Sequence, residues 1–304
     1  KIHGYIKLSE GCNQRCSFCA IPLFKGKLRS RALQSVINEV QALIQKGYKE
    51  FTFISQDSSS YLRDIGVKDG LVELIKEVEK LDIVSAKILY LYPSTTTSKL
   101  IKAIVSSKKF ENYFDMPLQH ISETMLKKMK RGASKSAHLK LLKEMREVPG
   151  SFLRSAFIVG HPDESEEEFR ELVEFVKEFS FDRVNVFGYS DEEGTSAYNS
   201  KNKLDKKTIK NRVKELEKAV KKSNAASLKK MVGGSFIGVI EGESSEHELL
   251  LRARPFIYAP DIDGEVLVNE IEDESGADTG RIYELKISGI VGDKLLATAK
   301  PLSF

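Results

Sequence analysis

Through its first 190 residues the chain alternates short apolar runs with stretches whose apolar positions recur every three or four residues. The runs Gly4–Leu8, Glu50–Ser55, Ala86–Tyr90, Tyr113–Leu118, Leu153–Val159 and Arg183–Gly188 read as strands. Between them, Ser35–Lys46 (closed by Gly47), Leu71–Lys80 and Ser165–Phe179 carry the helical period. Ser165 and Glu168 form a capping-box signature at the start of the last of these. Six β/α units in series predict an α/β fold with a parallel sheet and right-handed crossovers, hence an open or closed barrel.

The pattern then changes twice. Lys206–Val232 predicts a long charged helix with Ile209, Val213, Leu216 and Val220 as its apolar stripe, ended by Gly233-Gly234. Beyond it, Phe236–Ile240, Glu248–Leu251, Gly264–Val268, Arg281–Ile287 and Lys294–Ala299 read as short strands between Gly, Asp and Ser turns. Five such strands predict a small antiparallel β-barrel, OB-like in size and layout. The expected division is 1–232 and 233–304.

Charge sharpens that division. Residues 233–304 hold 14 acidic against 6 basic side chains, whereas the preceding 232 hold 30 against 42. The two parts therefore suit different partners. With 41% hydrophobic and 30% charged residues, and no apolar run of bilayer length, the chain reads as globular rather than membrane-spanning. No signal-peptide pattern opens it, which together with clustered thiols predicts the reducing cytoplasm.

All three cysteines, Cys12, Cys16 and Cys19, fall within eight residues directly after the first strand. An odd number on one loop does not make a disulfide framework; soft thiolates so grouped suit a metal centre, iron–sulfur above all. Three ligands leave one coordination position for a small molecule. A structural zinc ion completed by a histidine is the alternative, although such sites usually draw on two separated ligand pairs and no second pair exists here. Polar residues follow the other strands: Gln56-Asp57, Tyr92-Pro93-Ser94, Gln119-His120, Gly160-His161-Pro162-Asp163 and Tyr189-Ser190-Asp191. In parallel α/β barrels these are the positions that face the reacting centre.

Cys12-x3-Cys16-x2-Cys19, with Phe18 before the last cysteine, resembles the signature of the radical S-adenosylmethionine (SAM) superfamily. Residues 7–20, Ile54–Tyr61, Met116–His120, Met129–Gly132 and Phe157–Phe169 resemble the methylthiotransferases within it. The terminal barrel is similar to their TRAM domain. Ile54-Ser-Gln-Asp57 with Tyr61, Gln119-His120 and Ala259–Gly264 look most like the RimO branch. This resemblance implies an open (β/α)6 partial TIM-type barrel in which the three thiolates hold a [4Fe–4S] cluster. The fourth iron would take SAM, and reductive cleavage would give a 5′-deoxyadenosyl radical. It implies methylthiolation of an aspartate β-carbon in small-subunit ribosomal protein twelve, with flavodoxin or ferredoxin as the type of electron donor. The MiaB branch, which acts on a tRNA adenosine, is the rival.

Full-length members carry a second [4Fe–4S] cluster in an N-terminal domain, and this chain has no cysteines left for one. The resemblance therefore implies a shortened chain that cleaves SAM without completing methylthio transfer. The acidic runs 241–248 and 270–278 favour a basic ribosomal protein over RNA as partner, although solvated loops are the plainer reading of either run alone. Phe18, Gln56, Asp57, Gln119, Arg131, Ser155 and Gly160 are the expected cofactor-contacting residues; the alternatives are a structural hydrogen bond for Gln56, Asp57, Gln119 and Ser155, a tight βα turn at Gly160 and a solvated helix end at Arg131. His120 and His161 receive no catalytic role, because hydrogen abstraction by a radical needs no general base.

Overall fold

The computed structural model describes residues 2–244, 248–272 and 276–302. Strands β1 (His3–Lys7), β2 (Ser9–Glu10), β3 (Arg29–Ser30), β4 (Glu50–Ile54), β5 (Ser85–Ile88), β6 (Tyr113–Asp115), β7 (Phe152–Val159) and β8 (Arg183–Gly188) come first. Helices α1 (Ile21–Phe24), α2 (Leu33–Ile44), α3 (Gly70–Val78), α4 (Ser98–Ser106), α5 (Glu123–Lys128), α6 (Lys135–Arg146) and α7 (Glu166–Glu178) lie between them. Two parallel sheets, β1-β4-β5 and β6-β7-β8, are linked by a bridge from Ala86 to Phe110 and by Leu91 N–H donating to the Asp115 carbonyl. No ladder joins β8 to β1 among the described residues, so the barrel is open.

The six long-range strands form where they were expected. β6 stops at Asp115 rather than Leu118, because Pro117 has no N–H to give a ladder. The pair β2–β3 has no apolar alternation and was not anticipated. α7 starts with the full capping box of Ser165 and Glu168.

α8 (Lys206–Met231) buries Leu216 and Val220 of the expected stripe, leaves Ile209 and Val213 half-buried, and adds Arg212, Ala219, Ser223, Ser227 and Leu228 to the buried face. Three of those are polar and find partners inside. Arg212 pairs with Glu164, Ser223 donates to the Phe181 carbonyl, and Ser227 donates to Asp182. Apolar periodicity alone misses a helix face whose polar groups are satisfied by the body beneath it.

β9 (Ser235–Glu243), β10 (Leu251–Pro255), β11 (Val266–Ile271), β12 (Ile282–Val291) and β13 (Lys294–Pro301) close into a barrel in the order β10-β11-β13-β12-β9. The expected strand Glu248–Leu251 is displaced: Leu249 is 94% exposed, and the inward alternation begins only at Leu251. Four pairings are antiparallel, while β11 and β13 run parallel. Parts of both acidic runs, 245–247 and 273–275, lie outside the described residues.

The segment from Phe256 to Asp263, between β10 and β11, lies against the strand starts of the open barrel. Ile257, Tyr258 and Ala259 share one apolar core with Leu89, Tyr113 and Phe152. Lys87 Nζ donates to the Phe256 carbonyl at 2.6 Å, Tyr5 donates to the Pro260 carbonyl at 2.7 Å, and Tyr113 donates to Asp263 at 2.8 Å. Beside it Glu50 receives Lys87 at 2.6 Å and both terminal nitrogens of Arg254 at 2.8 and 2.7 Å. All three side chains are buried. Burial works to raise the Glu50 carboxyl, but the two cations prevail and hold it down at about 2.

Candidate active site

The loop after β1 is fixed at both ends. β2 pairs with β3, Cys12 N–H donates to the Gly26 carbonyl at 3.1 Å, and Leu28 N–H donates to Asn13 Oδ1 at 3.0 Å. Gly11 sits at φ +75°, and a Cβ there would lie 2.2 Å from the Lys27 carbonyl oxygen, so only glycine permits this closure. Within the loop Cys19 N–H turns back onto the Cys16 carbonyl at 3.2 Å. Ser17 N–H donates to the Met129 carbonyl at 3.0 Å, which ties the loop to the turn after α5.

All three cysteines open onto one cavity of about 340 Å³ at the C-terminal ends of the parallel strands. Each of the six contributes: the cysteines after β1, Gln56 after β4, Tyr90 and Tyr92 after β5, Gln119 after β6, Arg154 and Ala156 from β7, and Asn185 and Phe187 from β8. Among the described residues no three His, Cys, Asp or Glu side chains converge tightly enough to hold a single metal ion. Burial pushes the Cys12 thiol up to about 11 and moves Cys19 in the same direction, so metal binding here must release protons.

Phe18, Gln56, Gln119 and Arg131 line the cavity as expected. The side-chain oxygens of Gln56 and Gln119 are buried without a partner among the described residues. Gln119 and Tyr90 hold left-handed backbone at φ +72° and +61°, the kind of strain that concentrates at working sites. Arg131 is 4% exposed, lies over the Tyr92 ring at 4.3 Å, and donates to Cys16 Sγ at 3.1 Å and to the Pro117 carbonyl at 2.5 Å. Its Nε has no partner among the described residues.

Three expected contacts stand behind the wall instead. Asp57 accepts from Ser59, Ser60 and Gln14 at 2.7, 2.6 and 2.8 Å, which ties the cysteine loop to the end of β4. Ser155 donates to the Met116 carbonyl at 2.9 Å and accepts from Leu118 N–H, replacing ladder bonds lost at the Pro117 kink. Gly160, at φ +81°, faces α8, where a Cβ would meet Ile209 at 2.5 Å. His120 and His161 are buried structural groups as well. His161 donates from Nδ1 to the Pro162 carbonyl, so its Nε2 accepts from Ser17, and burial lowers its pKa to keep it neutral.

Sequence reasoning missed Arg154, which lines the cavity while pairing with Asp115 at 3.1 Å and with Asp263 of the small barrel at 3.6 Å. The available signal was a lone cation inside the apolar run Phe152-Leu-Arg-Ser-Ala-Phe157. Asn185 in β8 carries the same kind of signal.

Comparison with known proteins bears directly on this cavity. The radical SAM superfamily profile matches residues 6–176. The ribosomal protein uS12 methylthiotransferase RimO of Wolinella succinogenes is 57% identical over 98% of this chain and 67% of its own length. This chain belongs to the radical SAM superfamily and, within it, to the RimO methylthiotransferases. RimO of Nitratiruptor sp. is 54% identical over 98% of this chain and 68% of that protein.

Solved structures show the radical SAM fold again. The methyltransferase TsrM of Kitasatospora setae, determined with cobalamin and a [4Fe–4S] cluster bound, superposes with a TM-score of 0.51 at 17% identity, over 61% of this chain and 36% of its own. Streptococcus suis SuiB bound to SAM gives 0.50 at 19%, over 71% and 47%. As a RimO-family member the chain is an enzyme, and none of its described helices is long and apolar enough to cross a membrane.

Proposed function

We propose that Cys12, Cys16 and Cys19 would hold a [4Fe–4S] cluster at which SAM is reductively cleaved, in an enzyme that methylthiolates the β-carbon of an aspartate in ribosomal protein uS12. The carrying observation is that three thiols and a buried guanidinium, without a carboxylate partner among the described residues, open onto one cavity served by all six strands. The residues fit the group: soft donors match iron, and the orphaned Gln56 and Gln119 oxygens and Arg131 Nε are polar atoms awaiting a polar ligand. The bound cluster and SAM would supply one-electron cleavage and a hydrogen-abstracting radical.

The chain's own residues orient and shield. Phe18 and Phe187 give apolar walls that keep water from the reacting centre. Gln56 and Gln119 offer acceptors to the donors of SAM, and Arg131 offers a cation. Asp57, Ser155 and Gly160 act one layer back, by fixing the loops that carry these groups. We assign the radical chemistry to residues 1–232 and TRAM character to 233–304. A second cluster, where the reaction uses one, takes its thiolates from outside these residues, whose cysteines are all committed.

A flavodoxin or ferredoxin in the cytoplasm is the type of electron donor. The relatives named for uS12 favour a basic protein substrate over the adenosine of tRNA. Anaerobic reconstitution tests the core of the reading: about four irons per chain, an EPR signal on reduction, and 5′-deoxyadenosine from SAM are expected. One tightly bound zinc and no SAM cleavage would refute it. Salt-sensitive retention of tRNA in preference to uS12 would replace the substrate.

A further inference from the structure

We propose that Arg131, assisted by Tyr92, sets the reduction potential of the cluster through Cys16, in addition to any contact it makes with SAM. The inference rests on the cluster reading above. Of the three thiols, Cys16 alone is met by two side-chain donors: Arg131 at 3.1 Å and the Tyr92 hydroxyl at 3.5 Å. Among the described residues no carboxylate lies within salt-bridge distance of Arg131. Its remaining contacts are a carbonyl oxygen and the face of the Tyr92 ring. A guanidinium taken out of water this completely needs a counter-charge, and among the described residues the group in contact that can become an anion is the Cys16 thiol.

The position is held from several sides. Arg131 N–H donates to the Leu126 carbonyl at 3.0 Å; the single hydroxyl hydrogen of Tyr92 has two acceptors in reach, the Lys130 carbonyl at 3.4 Å and Cys16 Sγ, and a charged thiolate is the stronger. Lys130 and Gly132 on either side hold left-handed backbone, and a Cβ on Gly132 would crowd Ser94 at 3.0 Å. A phenol keeps its proton at neutral pH, and facing a thiolate it is the partner with a hydrogen to give.

A [4Fe–4S]2+ core with three thiolates carries one negative charge, and taking up one electron from a reductant, with no proton, makes it two. A fixed cation and two hydrogen bonds on one sulfur favour the more negative form. Arg131 and Tyr92 therefore act as positioning residues that make the electron easier to accept.

The test is an EPR-monitored redox titration of the anaerobically reconstituted 304-residue chain without SAM, using dithionite. R131Q is expected to shift the reduction equilibrium at least about tenfold towards the oxidised form, about 59 mV for a one-electron couple. R131K should recover much of the shift, and Y92F, which deletes one hydroxyl, should move the potential in the same direction by less. Y92F also keeps the test decisive should R131Q fail to take up iron. Unchanged potentials in the variants at full iron content would overturn the proposal; if SAM affinity alone fell, Arg131 would be a ligand contact only. A wild-type chain that assembles no four-iron cluster would instead remove the reading on which the proposal stands.

Discussion

Gln119 combines two costs: a left-handed backbone and a buried, unpartnered side-chain oxygen. Glycine there would relieve strain of about 1 kcal/mol while adding unfolded-chain entropy of roughly the same size. Gln119→Gly is therefore expected to melt close to the wild type yet bind SAM about tenfold more weakly, about 1.4 kcal/mol by calorimetric titration. An unchanged affinity would return Gln119 to a purely structural role. At this scale the sequence displayed the cysteines and the cavity-lining Phe18, Gln56, Gln119 and Arg131. It could not show that Asp57 and Ser155 turn away from the cavity, because the direction depends on a loop from another part of the chain and on a proline kink.

Helices and strands were legible wherever a regular period and a strong boundary coincided. α7 is the clearest case, with its apolar stripe and its capping box. Ser165→Ala should cost about 1 kcal/mol in a urea titration and leave SAM cleavage unaffected. The stripe of α8 was legible only in part, since Arg212, Ser223 and Ser227 are buried through partners distant in sequence. α6 holds the reverse case. Among the described residues neither ring nitrogen of buried His138 has a partner, and burial followed by the charge of Arg131 lowers its pKa to about 4. His3 is lowered to about 4 as well, chiefly by burial. The unfolded chain takes up these protons as pH falls below about 6.5, and the folded one only near 4, so stability declines across that window. The expected slope is up to about 1.4 kcal/mol per pH unit for each such group. Urea midpoints at a series of pH values check it, and His138→Leu should flatten the curve; a profile flat from pH 7 to 5 in the unaltered chain would contradict the reading.

The two barrels form one body held partly by charge. Glu50 of the open barrel serves Lys87 beside it and Arg254 of the small one, and Arg254 also reaches Glu241 at 2.7 Å. Glu50→Gln leaves buried cations short of an anion and should cost about 3–5 kcal/mol. A single, lowered thermal transition is expected; two separate transitions would mean that the barrels melt independently. Sequence periodicity placed both barrels, but not the contact between them, which depends on single charged residues inside apolar strands. The segment Phe256–Asp263 has a further consequence for how the protein is made. Its Asp263 pairs with Arg154, whose guanidinium lines the cavity, while every residue of that lining comes earlier in the chain. During synthesis the amino-terminal part emerges first, so all the lining residues have been made before the partner that anchors one of them. Arg154 gains that anchor only once the stretch between β10 and β11 has left the ribosome.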